Sequence, residues 1–244
     1  MQNFISKIIV VILFFGYSMQ VFAQNPLKES LHIADSLFQE KKYTESLEIY
    51  ETIFESSKKY SPSMLLKMAF IKEGLGDFSM ALFYLDYYYQ KTANKRVLTK
   101  MDELAEQNSL TGYEYSDFDL MVSYWHKYHL EIIVGLVLIC LMLLSYFSFS
   151  KHKGTSTPSA LLLLILFMGV TAFMINFGLD RPRGILISES TYIMKDPSSA
   201  SDLVEIAGKG HKVRISGKED VWYKIEWNDE IAWVREGNLI LTHQ

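Results

Sequence analysis

Two apolar runs constrain this chain more than any other feature. Residues 132–149 and 160–177 each contain 18 residues without a formal charge, close to the ~20 that a helix needs to cross a hydrocarbon core of about 30 Å. Neither run carries the polar stripe that is typical of a core helix in a soluble domain. Because the intervening residues 150–159 are too few for a domain, we predict two transmembrane helices that form a hairpin.

The N-terminus predicts export. Lys7 precedes the apolar run 8–15, and Val21 and Ala23 occupy positions −3 and −1 of a cleavage site. These are the features of a secretory signal peptide, which we assign to residues 1–23. An uncleaved signal anchor is the alternative, and in both cases the residues that follow are exported.

Basic residues next to the apolar runs bear on orientation. Lys151 and Lys153 lie between the runs, and Arg181 and Arg183 follow the second one. The positive-inside rule favours the cytoplasm for both pairs, so the arginines oppose the orientation that the export signal favours. The export signal and the loop lysines agree with each other. We therefore predict a bacterial inner-membrane protein with a cytoplasmic loop at 150–159 and both soluble domains in the periplasm.

Residues 24–107 have helical periodicity throughout. Two predicted helix pairs are related by an offset of 35 residues, close to the roughly 34-residue period of the tetratricopeptide repeat. The second pair carries small and large residues that resemble the packing code of that family: Gly76, Phe78, Ala81 and Leu85. The first pair departs from it, with Lys41 where glycine is usual and Ser46 where alanine is usual. We predict a tetratricopeptide-like array, closed by a fifth helix near 95–106.

Tyrosine is dense on one predicted helix of this array. At about 100° per residue, Tyr84 and Tyr87 lie roughly opposite Tyr89, so the three cannot all face one core. We therefore predict that they form a partner-binding surface; the alternative is that they pack against the fifth helix. Only two repeats are visible and about three are usually needed for a stable array, so docking onto another protein is expected rather than a full peptide groove.

Residues 108–131 predict a linker and then a juxtamembrane segment. Within it, His126 and His129 are three residues apart and Glu131 is nearby, a spacing that suits a metal site on a helix. No cysteine and no further histidine accompany them. We therefore predict an interfacial pair of histidines, no metal site and no other cofactor.

Between residues 184 and 244 the apolar residues alternate, which predicts short strands. We expect seven of them, near 184–188, 192–195, 204–206, 211–216, 221–227, 230–234 and 239–241. Asn228 and Asp229 form a tight-hairpin signal between the fifth and sixth strands. So many short strands in so short a segment favour a small all-β barrel.

Four motifs in this segment resemble the bacterial SH3 module: Asp196-Pro197-Ser198, Ile206 to His211, Trp222 to Ile225, and Ala232-Trp233-Val234. Ala232 stands where the family has glycine. The resemblance implies an SH3-like domain of a kind that often contacts cell-wall peptides or proteins. We expect Trp222 and Trp233 to be structural. Tyr223 and Trp227 are the predicted ligand-binding residues, because alternation along the strand favours their exposure.

The order of these parts resembles one known family. A signal peptide, a short tetratricopeptide region, two closely spaced spans and a C-terminal bacterial SH3 domain are arranged as in the E-type proteins of the Bacteroides aerotolerance (Bat) operon. The resemblance covers nearly the whole chain and lies in the domain order. It implies a component of an inner-membrane assembly linked to stress tolerance, with partners that carry von Willebrand factor A-type domains. It supplies no catalytic residues.

Composition and motifs exclude several classes of function. The net charge is −4 and no run of Lys and Arg exceeds two residues, so there is no electrostatic footprint for nucleic acid. The sequence has no nucleophile elbow, P-loop, dinucleotide fingerprint or zinc motif, and we expect a non-enzymatic protein. Two functions remain: an interaction scaffold, or an envelope sensor whose SH3-like domain binds peptidoglycan.

Overall fold

The computed structural model describes residues 26–57, 59–152, 158–176 and 182–242. They form an N-terminal helical region and a C-terminal antiparallel sheet of seven strands. Of the described residues, those up to Ser61 belong to one compact unit, and those from Pro62 onward belong to a second. The predicted signal peptide lies outside the described residues.

The first unit contains a pair of packed helices, α1 (Pro26–Gln39) and α2 (Tyr43–Ser57). Lys41 lies in the turn between them with a φ of 62°, the left-handed region in which glycine is most comfortable. Ser46, at a position where alanine is usual, is fully buried and donates a hydrogen bond to the Ala34 carbonyl at 2.8 Å. A small side chain at the crossing is therefore retained, and its hydroxyl is satisfied.

The second unit begins with α3 (Pro62–Gly74), α4 (Phe78–Thr92) and α5 (Arg96–Gln107). The turn before α4 has Gly76 at a φ of 75°, and the Asp77 carboxylate caps the helix by accepting from the Met80 amide. α4 starts 35 residues after α2, as the sequence offset predicts. The fifth helix is confirmed within one residue of its expected bounds.

One very long helix, α6 (Asp117–His152), follows the linker. Its segment Lys127–Ser150 is the one helix among the described residues that is long and apolar enough to cross a membrane. The first predicted span lies inside this segment.

The second apolar helix, α7 (Pro158–Asn176), packs against α6. Its apolar part, Leu161–Asn176, is shorter than the apolar segment of α6, and residue 177 is not among those described. The second span therefore stays a prediction. The predicted loop 150–159 is too long at both ends, since α6 continues to His152 and α7 starts at Pro158.

The sheet confirms all seven predicted strands. They are β1 (Arg183–Leu186), β2 (Thr191–Met194), β3 (Leu203–Ala207), β4 (Lys212–Glu219), β5 (Trp222–Trp227), β6 (Glu230–Arg235) and β7 (Leu239–Leu241). Their order is β3-β2-β6-β5-β4-β1-β7 and all neighbours are antiparallel. In this part of the chain no ladder joins β3 to β7, so closure into a barrel stays a prediction.

The predicted hairpin between β5 and β6 is confirmed. Trp227 pairs directly with Glu230, and both turn residues, Asn228 and Asp229, have positive φ values of 50° and 64°. This conformation matches the right-handed twist of the flanking strands, and asparagine and aspartate tolerate it better than most residues do. The core under the sheet is formed by inward residues of the strands, including Ile193, Ile225 and Val234.

Candidate functional site

The linker between α5 and α6 is bound to the sheet. The Lys212 amide donates to the Thr111 carbonyl at 3.0 Å, and the Thr111 amide donates to His211 Nδ1 at 3.2 Å. The Tyr113 hydroxyl donates to the Gly210 carbonyl at 2.7 Å. Residues 111–113 are therefore hydrogen-bonded to the turn before β4 and to its first residue, where the sequence predicts only a linker. Burial lowers the pKa of the His211 imidazole, which favours the neutral ring that accepts this bond.

Gly112 makes this contact possible. Its φ is +89°, and a Cβ atom at this position would lie 1.8 Å from the Lys212 carbonyl oxygen. A side chain here would collide with backbone, which cannot move aside as the end of a flexible side chain can. The close approach of the linker to β4 is therefore available only to glycine.

A buried ion pair lies directly beneath the linker. Lys212 Nζ is 2.5 Å from Asp86 Oδ1, and both side chains are 1% exposed. The Tyr115 hydroxyl donates to Asp86 Oδ1 and accepts from Lys212 Nζ, both at 3.0 Å. Gln90 donates to the other Asp86 oxygen at 2.8 Å. We call the set Asp86, Gln90, Tyr115 and Lys212 the polar junction, because it joins α4 to β4.

The Asp86 carboxylate of the polar junction is ionised at neutral pH. Burial alone raises the pKa of Asp86, but the charge and hydrogen bond of Lys212, with smaller contributions from Thr242 and Arg183, together outweigh it, and the pKa lies below its usual 3.8. Burial lowers the pKa of Lys212, against the pull of Asp86. Burial and the Asp86 charge raise the pKa of Tyr115, so its hydroxyl stays protonated and can donate. Every charge in the junction thus has a partner, as buried charges require.

A second ion pair joins the chain before and after the apolar helices. Asp119, in the first turn of α6, pairs with Arg183 at the start of β1. The same carboxylate accepts from the Ser116 amide at 3.0 Å and the Ser116 hydroxyl at 2.9 Å. The chain entering α6 and the chain leaving α7 are therefore held side by side.

The predicted partner-binding tyrosines do not form a surface. Tyr84 and Tyr89 are 3% and 2% exposed, so their prediction as surface anchors is wrong. α4 packs against α3, α5 and α6, which cover it on several sides at once. The Tyr89 ring contacts Tyr115 edge to face at 5.4 Å. Tyr87 is half-buried, with Lys91 Nζ 5.2 Å from its ring centroid.

The residues of the sheet that were predicted to bind a ligand, Tyr223 and Trp227, are not exposed side chains. Trp227 is 7% exposed and belongs to the core, with its indole N–H donating to Glu205 at 2.7 Å. Tyr223 is half-buried against the same core. The reason is the two-residue period of a strand: residues 223, 225 and 227 share one face, and Ile225 is fully buried. Trp222 and Trp233 lie on the opposite face, Trp222 buried and Trp233 half-buried.

A polar cleft of about 340 Å³ opens beside the junction. Its charged lining residues carry both signs and include Glu114, Arg183, Arg214, Glu226 and Asp229. Arg214 and Glu226 pair across its wall at 3.0 Å. The described residues contain no group of three or more histidine, cysteine or acidic side chains that could hold a metal ion.

The polar junction and the Asp119–Arg183 pair join the helices to the sheet. The junction side chains satisfy one another, and the predicted anchors Tyr84, Tyr89 and Trp227 are core residues. Comparison of the chain with models of known protein families, with curated proteins and with solved structures finds no match.

Proposed function

We propose that the chain is a non-enzymatic scaffold for protein–protein interaction, anchored in the bacterial inner membrane by two helices with both soluble regions in the periplasm. One observation carries the proposal. Asp86 precedes both apolar helices along the chain and Lys212 follows both, yet the two form a buried ion pair. Two groups in such contact must lie on the same face of a membrane.

The ion pairs between the chain before the apolar part of α6 and the chain after α7 support two membrane crossings rather than one. If α6 crosses the bilayer, the chain must return before Arg183, which pairs with Asp119 at the start of α6. α7 is the apolar helix in that interval, and its 19 residues reach about 28 Å at ~1.5 Å per residue. That length approaches a hydrocarbon core of about 30 Å. The export signal in the sequence supports the periplasmic side.

The scaffold function rests on how the parts are joined. The polar junction holds an SH3-like sheet against tetratricopeptide-like helices on one anchor, so two interaction modules share one membrane position. Modules joined in this way bind a common partner more tightly than either does alone. The domain order supports a Bat-type complex linked to stress or aerotolerance, with membrane partners that carry von Willebrand factor A-type domains.

An alternative function is a peptidoglycan-binding envelope sensor or adaptor. The polar cleft favours it, because Arg214 and Glu226 present opposite charges at its wall. Peptides of the cell wall carry carboxylates and amines and would find complementary charges there.

A pull-down of the intact chain from native membranes in a mild detergent tests the proposal. We expect membrane proteins with A-type domains to co-purify in stoichiometric amounts. A matched variant, Arg214→Ala, removes a cleft charge that is outside the junction and should leave this recovery unchanged. Recovery of cell-wall fragments alone, lost in Arg214→Ala, would replace the scaffold with the sensor.

A further inference from the structure

β3 is an edge strand with an unpaired outer side. It stands at the end of the sheet order, and in the described structure its ladder is with β2 alone. Four of its five residues, Leu203 to Ile206, are exposed. It contains neither lysine nor proline, two of the devices by which natural edge strands resist pairing with other chains. The opposite edge, β7, has three residues and is buried or half-buried along its length.

An apolar surface adjoins this edge. Ile206 pairs directly with Tyr192 on β2, and the two are 50% and 55% exposed. Met194 shares the face of Tyr192 by the two-residue period of β2, and the register shift beside it sets Leu203, which is 49% exposed, opposite Met194. Beyond Tyr192, the half-buried Trp233 is opposite Met194, so the apolar surface continues from β3 across β2 to β6. An extended segment added to β3 would place alternate side chains on this surface.

Charge indicates which segment fits. Asp202 precedes β3 and Glu205 lies within it, both exposed, and Asp196 is in the adjoining turn. A second copy fits poorly, because it would bring its own Asp202 and Glu205 to an edge that carries the same two acidic side chains, and like charges close together across a strand pair are unfavourable. A basic segment would instead place cations close to these carboxylates, and opposite charges across a strand pair are favourable.

We propose that the β3 edge binds an extended, basic segment of a partner protein as an added strand, with its apolar side chains over Leu203, Ile206 and Tyr192. This rests on the proposed scaffold function and places its partner contact on the sheet instead of the predicted tyrosines. A five-residue ladder is small beside a standard interface. The shared membrane anchor strengthens it by raising the effective concentration of the partner.

Short fluorescent peptides test the edge on the intact chain in nanodiscs of neutral lipid, with empty nanodiscs as background. Three are compared: alternating Val and Lys, the same with a central proline, and alternating Val and Glu. We expect binding of the Val–Lys peptide and at least about tenfold weaker binding of the other two. Proline removes a ladder donor, and glutamate opposes the acidic edge.

Two variants locate the contact. Ile206→Lys places a charge on the edge and should weaken binding of the Val–Lys peptide by about tenfold or more. Ile187→Lys, at an exposed isoleucine just beyond β1, should leave it unchanged. Equal binding of the proline peptide, or of the Ile206→Lys variant, would overturn the proposal.

Hydrogen exchange distinguishes a bound peptide from a second copy of the chain at the β3 edge. Protection of the Leu203 to Ile206 amides should appear on addition of the Val–Lys peptide. Protection that grows with the protein's own concentration would assign the edge to a second copy and overturn the proposal. If peptide binding fails while A-type partners still co-purify, the edge is wrong and the scaffold stands. If the peptide binds and no partner co-purifies, the edge binds strands and the scaffold proposal is wrong.

Discussion

Lys212→Met is expected to lower the free energy of unfolding of the sheet and its junction by about 3–5 kcal/mol, the usual cost of removing one partner of a buried ion pair. The variant leaves the Asp86 carboxylate 1% exposed with no cation beside it. Urea unfolding in detergent, followed by tryptophan fluorescence, measures this, because three of the four tryptophans, Trp222, Trp227 and Trp233, lie in the sheet.

Two further variants make this result specific. Adding Asp86→Asn to Lys212→Met should recover most of the loss, because the amide is neutral and still accepts the Tyr115 hydrogen bond. Lys218→Met breaks an exposed pair with Glu236 at 2.6 Å, and it should destabilise the protein far less than Lys212→Met because solvent screens exposed charges. If Lys212→Met costs no more than Lys218→Met, the junction does not hold the sheet in place.

The pH dependence of the intact protein follows from the same pair. The folded pKa of Asp86 is below 3.8, so its stabilisation is present above that pH and is lost as the pH falls through the folded value. The pKa of Lys212 is below 10.5, so between the folded value and 10.5 the unfolded chain binds more protons at this group, and its contribution to stability rises with pH over that interval. In the double variant Asp86→Asn, Lys212→Met, both pH dependences should diminish.

Gly112→Ala is expected to detach the linker from the sheet. The new Cβ would lie 1.8 Å from the Lys212 carbonyl oxygen, and the φ of +89° is strained for any L residue. Backbone strain of this kind costs about 1–3 kcal/mol before the collision is counted. Hydrogen exchange should therefore show faster exchange of the Lys212 amide, which donates to Thr111 in the wild type.

Gly208→Ala is the matched control for this change. Gly208 is in the connection between β3 and β4, with nothing within 4 Å of a Cβ at its position, and its substitution should leave the Lys212 amide protected. If Gly112→Ala exchanges like Gly208→Ala, the close approach of linker and β4 is not required for their contact.

Local patterns predicted the elements of this fold well. Alternation located every strand, and the Asn228–Asp229 pair located the hairpin turn, because these signals act over a few residues. The predicted face of β5 was wrong for Tyr223 and Trp227. Side chains of a strand repeat every two residues, so both residues share the face of Ile225, an apolar residue that should itself have indicated the core. The prediction that the α4 tyrosines are exposed was wrong for another reason. Helical period shows which residues share a face, but not how many neighbouring helices cover the helix.

The polar junction could not be paired from sequence. Asp86 and Lys212 are 126 residues apart, and no local pattern joins them. One signal was present: Asp86 is a single carboxylate within the apolar and aromatic run 81–89, and a charge there requires a partner when the helix is buried. Gly112 gave no such signal, because its necessity comes from the approach of β4.

Cysteine accessibility tests the central claim, that the helical region and the sheet lie on one face of the membrane, most directly. In a Cys140→Ser background, single cysteines replace the exposed residues Glu103 on α5, Glu219 on β4 and His152 at the end of α6. Intact cells with a permeabilised outer membrane are treated with a membrane-impermeant maleimide. We expect labelling at positions 103 and 219 and none at 152. Labelling at 103 without labelling at 219 would contradict the account, because the sheet would then lie across the membrane from the helices that it contacts.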